Sequence, residues 1–360
     1  MQTQRKELNF EGQNIFVGID VHLKSWNVSI FTEGLHHKTF NQPAKAEVLS
    51  NYLNQNFPNA SYHSVYEAGF SGLLAHFRLT ELGIKNIVVN PADVPTTQKE
   101  KVNKRDSVDS NKLGRSLRAN ELTGIYIPQI KTMEDRTLIR IRTAIIKDKI
   151  RIKQRIKSLL NFYGIDYPAE FERTQTHWTN RFMNWLKTIE LQGSSGTQAL
   201  KLLISLAEQQ RALLLDATRK IRALSKTEPY AKNIHLIMSV PGIGLLTGML
   251  FLTEIENISR FENNDSLAGY IGMIPTCHTS GDIDDKNGEM TPRGHYFMRK
   301  ALIECSWIAA SKDPALSLSY YQYCKRLEPN KAITRIARKL INRIYFVLKN
   351  QKKYENGIVR

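Results

Sequence analysis

The run IFVGID at residues 15–20, followed by SWNVSIF at 25–31, decides how the first part of the chain is read. Ile15–Asp20 is a short apolar run suited to a central strand. In Ser25–Phe31, Trp26, Val28 and Ile30 alternate with Asn27 and Ser29, the period of two that marks a second strand. Working outward, Lys38–Phe40 is a candidate third strand and Glu47–Asn56 a short helix. Tyr62–Glu67 is a strand, Ser71–Leu82 a helix stopped by Gly83, and Lys85–Asn90 a strand ending at Pro91. After a basic, polar loop, a helix is predicted from Asp106 to about Asn120.

Three hairpin-linked strands followed by alternating helices and strands match the topology of the ribonuclease-H-like fold. The first 120 residues are therefore expected to be α/β and the rest mainly α. From Thr132 to Tyr163 the period changes: Leu138, Ile141, Ile145, Ile152, Ile156 and Leu159 fall at steps of 3, 4, 7, 4 and 3. This is a coiled-coil-like seam with one knob missing. A second seam runs through Leu203, Leu206, Gln210, Leu214, Ala217, Ile221 and Leu224, after a Gly-Ser-Ser-Gly turn at 193–196. Two long helices with a spacer imply an antiparallel arm. Residues 234–325 are mostly helical by period, and the end of the chain is helical through Ile333, Ile336, Leu340, Ile344 and Val347.

Charge narrows the partners. The 360 residues contain 51 Lys and Arg against 34 Asp and Glu, a net +17, with 41% hydrophobic residues. That is enough apolar material for real cores and argues against a disordered chain. An excess so large calls for an acidic partner, nucleic acid or an anionic membrane surface. No stretch approaches the roughly 18 apolar residues that span a bilayer, and the first residues, MQTQRKE, are polar. Cys277, Cys305 and Cys324 form no CxxC pair, so neither a disulfide framework nor a zinc site is expected. A cytoplasmic chain with no membrane partner is the expectation. Ten Lys or Arg against three Asp or Glu at 131–157, and eleven against two at 325–360, are candidate phosphate-binding faces or ordinary solvated ones.

Four acids carry the chemistry of the first domain. Asp20 ends the first strand, Glu67 ends the fourth, and Asp106 and Asp109 share one side of the helix that follows. Singly, each is an ordinary strand-end or capping residue. Together they would repel one another unless a cation neutralised them, and hard oxygen ligands suit Mg²⁺, with Mn²⁺ as a substitute. Two such ions can activate a nucleophile and stabilise a leaving oxygen in phosphodiester chemistry. Around the helical pair, Lys99, Lys101, Lys104, Arg105, Lys112, Arg115 and Arg118 would attract phosphate. Ser239-Val240-Pro241-Gly242-Ile243-Gly244 is either a helix-hairpin-helix-like phosphate contact or a tight turn that binds nothing. The loop from Pro275 to Gly281 sets Ser280 before a glycine, followed by Thr291-Pro292-Arg293-Gly294-His295 and Arg299. A hydroxyl so placed is a nucleophile or simply part of a common loop pair.

The sequence resembles the DEDD-type insertion-sequence transposases of the IS110 group, which include the bridge-RNA-guided recombinases and the pilin-gene invertase. The resemblance covers about residues 13–325. It is carried by VGIDVHLKSW (17–26), YEAG (66–69), KRDSVDSNKLGR (104–115), VPGIGLLTGMLFLTEI (240–255), RFENNDSLAGYIGMIP (260–275) and SG…TPRGHYFMRKAL (280–302).

It implies a RuvC-like domain at 13–125, a coiled-coil arm at 130–228, a transposase domain at 234–325 and a basic helical tail at 326–360. The family's tetrad falls on Asp20, Glu67, Asp106 and Asp109, and its catalytic serine on Ser280. The implied reaction is DNA strand cutting and rejoining through a serine–phosphate link with Mg²⁺ on the tetrad. Donor and target DNA, a structured non-coding guide RNA and a homo-oligomer, dimer or tetramer, are the implied partners. Lys104, Arg105, Arg115, Gly242, Gly244, Arg293 and Arg299 are candidate nucleic-acid contacts, and His278 is a further phosphate neutraliser. Ser110 stands where the family often has alanine, a departure expected to matter little, and Asp282, Asp284 and Asp285 make the stretch after Gly281 unusually acidic. The alternatives are a junction-resolving nuclease that uses water, and a non-catalytic nucleic-acid-binding protein. An actin-like ATPase would need Gly-rich phosphate loops that do not follow the first strand.

Overall fold

Residue parity along the first strand determines what covers each face of the sheet. In the computed structural model, which describes residues 9–98, 106–278 and 286–356, five strands are ordered β3-β2-β1-β4-β5. These are β1 (Asn14–Val21), β2 (Ser25–Phe31), β3 (His36–Pro43), β4 (Ser61–Glu67) and β5 (Lys85–Val89). The first three are antiparallel neighbours, and β1, β4 and β5 are parallel. Ile15, Val17 and Ile19 of β1 pack with Trp26, Val28 and Ile30 of β2 against α1 (Ala46–Asn56) and α2 (Leu74–Glu81). The intervening positions meet α3 (Asp106–Arg118) on the other face. The element order expected from the sequence holds throughout this part of the chain.

Asn27 and Ser29, the polar half of the β2 alternation, are buried too. They face α3 rather than water. The Ser110 hydroxyl lies 2.8 Å from that of Ser29 and donates to Asn27 Oδ1 at 2.6 Å, and Asn27 and Ser29 bond onward to Asn41 and Thr39 of β3. An alanine at 110 would leave part of this buried network unsatisfied, which costs about 1–3 kcal/mol per group. The departure at Ser110 therefore matters more than its sequence context implies.

Gly18 lets the helix lie against the strand. A Cβ there would sit 2.0 Å from the Ser110 carbonyl oxygen and 2.3 Å from the Gly114 nitrogen, both helix backbone atoms. Gly18→Ala is expected to push α3 off the sheet at a cost of about 1–3 kcal/mol. A thermal melt lower than wild type, together with weaker Mn²⁺ binding, would show it; an unchanged melt would mean that the helix is not held by this contact.

A second compact unit begins at Pro128. Here α4 (Ile130–Phe162) and α6 (Ser194–Leu224) run antiparallel, with Arg142 donating to Thr218 at 3.0 Å. The short α5 (Asn180–Thr188) packs beside them, and Phe182 and Leu186 share a core with Ile152, Ile156, Leu160, Leu200 and Ile204. The expected seam is only partly the buried one. Ile152 and Ile156 are buried, whereas Ile141 and Leu206 are 51% and 41% exposed, and Ile139, Leu160 and Ile204 take buried places. The cause is a change of neighbours: Ile139 joins the core of the helices that follow, while Ile152 onward packs on α5 and α6.

Those following helices are α7 (Tyr230–Ile237), α8 (Leu245–Ile255), α9 (Asn264–Ile271), α10 (Tyr296–Lys312), α11 (Pro314–Cys324) and α12 (Pro329–Asn350). Between α9 and α10, β6 (Pro275–His278) pairs antiparallel with β7 (Lys286–Met290), where the sequence reading expects a loop. The basic terminal helix α12 is no detached tail. Ile333, Ile336, Leu340, Ile341, Ile344 and Val347 are all within 2% of full burial and belong to the largest core of the chain. Its positive charges line the opposite side of a strongly amphipathic helix. Among the described residues no helix is long and apolar enough to cross a membrane.

Candidate metal centre

Strand parity and the Gly18 contact together assemble the four acids. Asp20 is even-numbered on β1 and so faces α3, as Gly18 does. On the adjacent β4, Val65 packs with Leu113 of α3, which puts Glu67 on the same side at the same sheet edge. Asp106 and Asp109 lie in the first turn of α3, where the helix dipole favours negative charge.

Two basic groups knit these acids into pairs. His22 Nε2 is 3.1 Å from Asp20 Oδ2 and 3.8 Å from Asp106 Oδ2, so that one ligand atom from each of the three falls within a 4.8 Å cluster. The Lys112 ammonium lies 3.3 Å from both Glu67 Oε1 and Asp109 Oδ1, with its side chain 8% exposed. Burial raises the Asp20 carboxyl above its usual value, His22 opposes this, and the nearby Asp106 and Asp109 add to it. For Lys112, burial works against the charge, but the Glu67 and Asp109 carboxylates outweigh it and hold its pKa above normal. The acids thus share one electrostatic environment that favours a cation.

The residues fit a divalent metal. Asp20 is partly desolvated and repelled by its neighbours, and a hard cation relieves both penalties while taking the carboxylate oxygens it prefers. His22 and Lys112 are the additions that sequence reasoning missed as site residues. His22 follows Asp20 by two positions, the parity of the same strand face, and that signal was available. Lys112 was grouped with the phosphate-attracting bases, but its buried ammonium serves the carboxylates. Arg118 lies over the Phe31 ring at 5.2 Å, and Arg115 is exposed.

Apart from Lys104 and Arg105, the other candidate positions belong to the second unit. Lys104, Arg105 and Ser280 lie outside the described residues, as do the side chains of Cys277 and His278. Position 280 falls in the sequence between the paired strands β6 and β7. Arg293 is exposed, and Arg299 donates its guanidinium to the Arg293 carbonyl. Gly242 occupies the turn between α7 and α8 with φ +86°, and a Cβ there would meet the Cys305 carbonyl at 2.3 Å. Close packing on α10 is thus reason enough for that glycine. Gly244 caps α8 with nothing within 4 Å of a Cβ position, open to an approaching group. His295 caps α10 and sits 3.1 Å from Glu254, a carboxylate 1% exposed that also receives Arg140 at 2.8 Å and Arg136 at 3.4 Å.

Comparison with known proteins matches two stretches. Residues 17–165 match a DEDD transposase family of the IS110 type, and residues 234–322 match the Transposase IS116/IS110/IS902 family. A putative transposase, y4rJ, of Sinorhizobium fredii is 26% identical over 91% of this chain and 90% of its own length. Another from the same organism, y4qE, is 26% identical over 67% of this chain, which spans 57% of that relative. The pilin gene-inverting protein of Moraxella bovis is 29% identical over 34% of this chain and 39% of its own.

Proposed function

Because this chain belongs to the IS110-type DEDD transposases, enzymes that act on DNA, we propose that it cuts and rejoins the DNA strands of an insertion sequence through a serine–phosphate link. The observation that carries the reading is that Asp20 and Asp106 lie with His22 within ligand distance of one another, while Lys112 joins Glu67 and Asp109 beside them. Those four carboxylates would hold Mg²⁺. The bound ion supplies Lewis acidity at the scissile phosphate and neutralises charge on the departing sugar oxygen.

The chain's own groups do the rest. In the resemblance the nucleophile is Ser280. Its hydroxyl oxygen forms the bond to phosphorus as the bond to the departing sugar oxygen breaks, and its proton passes by way of solvent to that oxygen, which leaves as a hydroxyl. Lys112 keeps Glu67 and Asp109 in place by balancing their charge, and the His22 ring nitrogen sits between Asp20, at 3.1 Å, and Asp106, at 3.8 Å. The basic faces of α4 and α12 suit phosphate backbones, and a structured non-coding RNA that pairs with donor and target DNA would supply sequence choice. The active form in this reading is an oligomer whose coiled-coil arm and helix-hairpin-helix-like turn serve assembly and backbone contact.

A trapping assay tests it. Purified protein is mixed with RNA from the flank of its element, labelled donor and target duplexes and Mg²⁺, and resolved on a denaturing gel. A DNA-linked protein band that disappears in Ser280→Ala is the expected result. Free nicked DNA without a linked band, unchanged in Ser280→Ala, would instead identify a nuclease that uses water.

A further inference from the structure

The far half of α4 borders a cavity of about 320 Å³ that no step of the proposed reaction uses. Its lining divides in two. Trp178, Met183 and Ala207 form an apolar wall, and Lys149, Lys153 and Arg211 form a cationic one. Lys149 and Lys153 stand one turn apart on α4, and Arg211 faces them from α6. Among the described residues none of the three cations is in an ion pair. Arg211 donates to the neutral Asn180 amide at 2.9 Å, and the Lys153 ammonium lies 4.6 Å from the Trp178 ring centre. The one carboxylate of the lining, Glu208, is held by Lys187 at 2.6 Å.

Two further observations show that the arrangement is not a relaxed surface. Burial, together with Lys149, Lys157 and Arg211, pushes Lys153 down to about 8. Mutual repulsion of this kind is relieved by an anion. Trp178 holds φ +67°, a left-handed conformation that a bulky side chain rarely adopts. The indole packs in a T-shaped contact with Phe182, ring centres 5.3 Å apart, and lines the cavity.

We propose that this cavity takes one unpaired nucleotide of a single strand, its base against Trp178, Met183 and Ala207 and its phosphate on Lys149, Lys153 and Arg211. The volume is that of a small ligand pocket. An aromatic ring beside converging cations is the combination by which sequence-tolerant single-strand sites hold a base and its backbone. The inference rests on nucleic acid being the partner of this chain. RNA and DNA strands share the chemistry, and the test separates them.

Fluorescence anisotropy with a ten-nucleotide single-stranded RNA, its DNA counterpart and a blunt duplex reads the site in the full-length protein. Trp178→Leu is expected to weaken single-strand binding about ten-fold or more, the loss of one stacked base. Duplex binding and the salt dependence should stay as they are. The double variant Lys153→Gln/Arg211→Gln should reduce the slope of log affinity against log salt by about 0.7 at most, the share of the one phosphate that these side chains hold. Arg211 is exposed, so its change carries the test even if Trp178→Leu folds poorly. A loss confined to RNA, confined to DNA or common to both supports the site and names its strand. Unchanged single-strand binding in both variants, or an equal loss for the duplex, overturns it. Wild-type protein that binds no nucleic acid at all would remove the proposed function along with the site.

Discussion

Asp20→Asn is expected to lower strand cleavage about 10²- to 10³-fold at saturating Mg²⁺, the scale of removing one electrostatic group from a reacting centre. The protein should at the same time be no less stable. In the folded state Asp20 is partly buried and repelled by Asp106 and Asp109, so its carboxyl is held above the usual range despite His22. An acid with a raised folded pKa destabilises the fold when ionised, and stability rises as pH falls through that raised value. Asparagine removes the charge at nearly the same shape. Cleavage assays and thermal melts on one preparation separate the outcomes. Added Mg²⁺ should raise the melting temperature of wild type and not of the variant. A variant that still cleaves would remove Asp20 from the metal site, and one that melts far below wild type would make it a structural residue.

Glu254→Gln should have the largest effect on stability. The carboxylate is 1% exposed and faces Arg140 at 2.8 Å, His295 at 3.1 Å and Arg136 at 3.4 Å. The amide keeps an acceptor but leaves Arg140 and Arg136 without a buried counter-charge, a loss of about 3–5 kcal/mol. For a unit of this size that is a fall of roughly 10 °C in melting temperature. Burial works to raise the Glu254 pKa, but His295, Arg140 and Arg136 outweigh it and hold it below its ordinary 4.5. The stabilisation is therefore fully present above about pH 4.5 and is lost as pH falls through the lower folded value. Wild type should lose stability in that acid window and the glutamine variant should not share the slope. A shift under 1 °C, or parallel acid profiles, would show that the cluster is not a stabilising one.

Much of the first unit was legible because its signals are local. Period two in Ser25–Phe31, the stop at Gly83 and the acids at strand ends are all read within a few residues. What Asn27 and Ser29 do was not legible, since their partner Ser110 lies more than eighty positions away. Polar residues in an alternating strand read as solvent-facing until a helix is found on that face. The site shows the same limit. The strand positions of Asp20 and Glu67 and the shared first turn of Asp106 and Asp109 were readable from spacing, but Lys112 looked like one more surface base. Only its burial between Glu67 and Asp109 shows whom it serves. In the second unit, the apolar spacing of α12 was correct while its place in the core was hidden by the charge count. The α4 seam failed at Ile141 because one heptad pattern cannot describe a helix that changes neighbours along its length.

That long helix also sets a length. At 1.5 Å per residue its 33 residues extend about 50 Å. Arg140, bound to Glu254, and Lys153, beside the cavity, are thirteen residues apart on it, about 20 Å, or six nucleotide steps at 3.4 Å each. The helix is thus a ruler with a phase as well as a span. Seven added residues between those points would lengthen it by about 10 Å and return the cavity to nearly the same side. Two added residues would turn it to the opposite side.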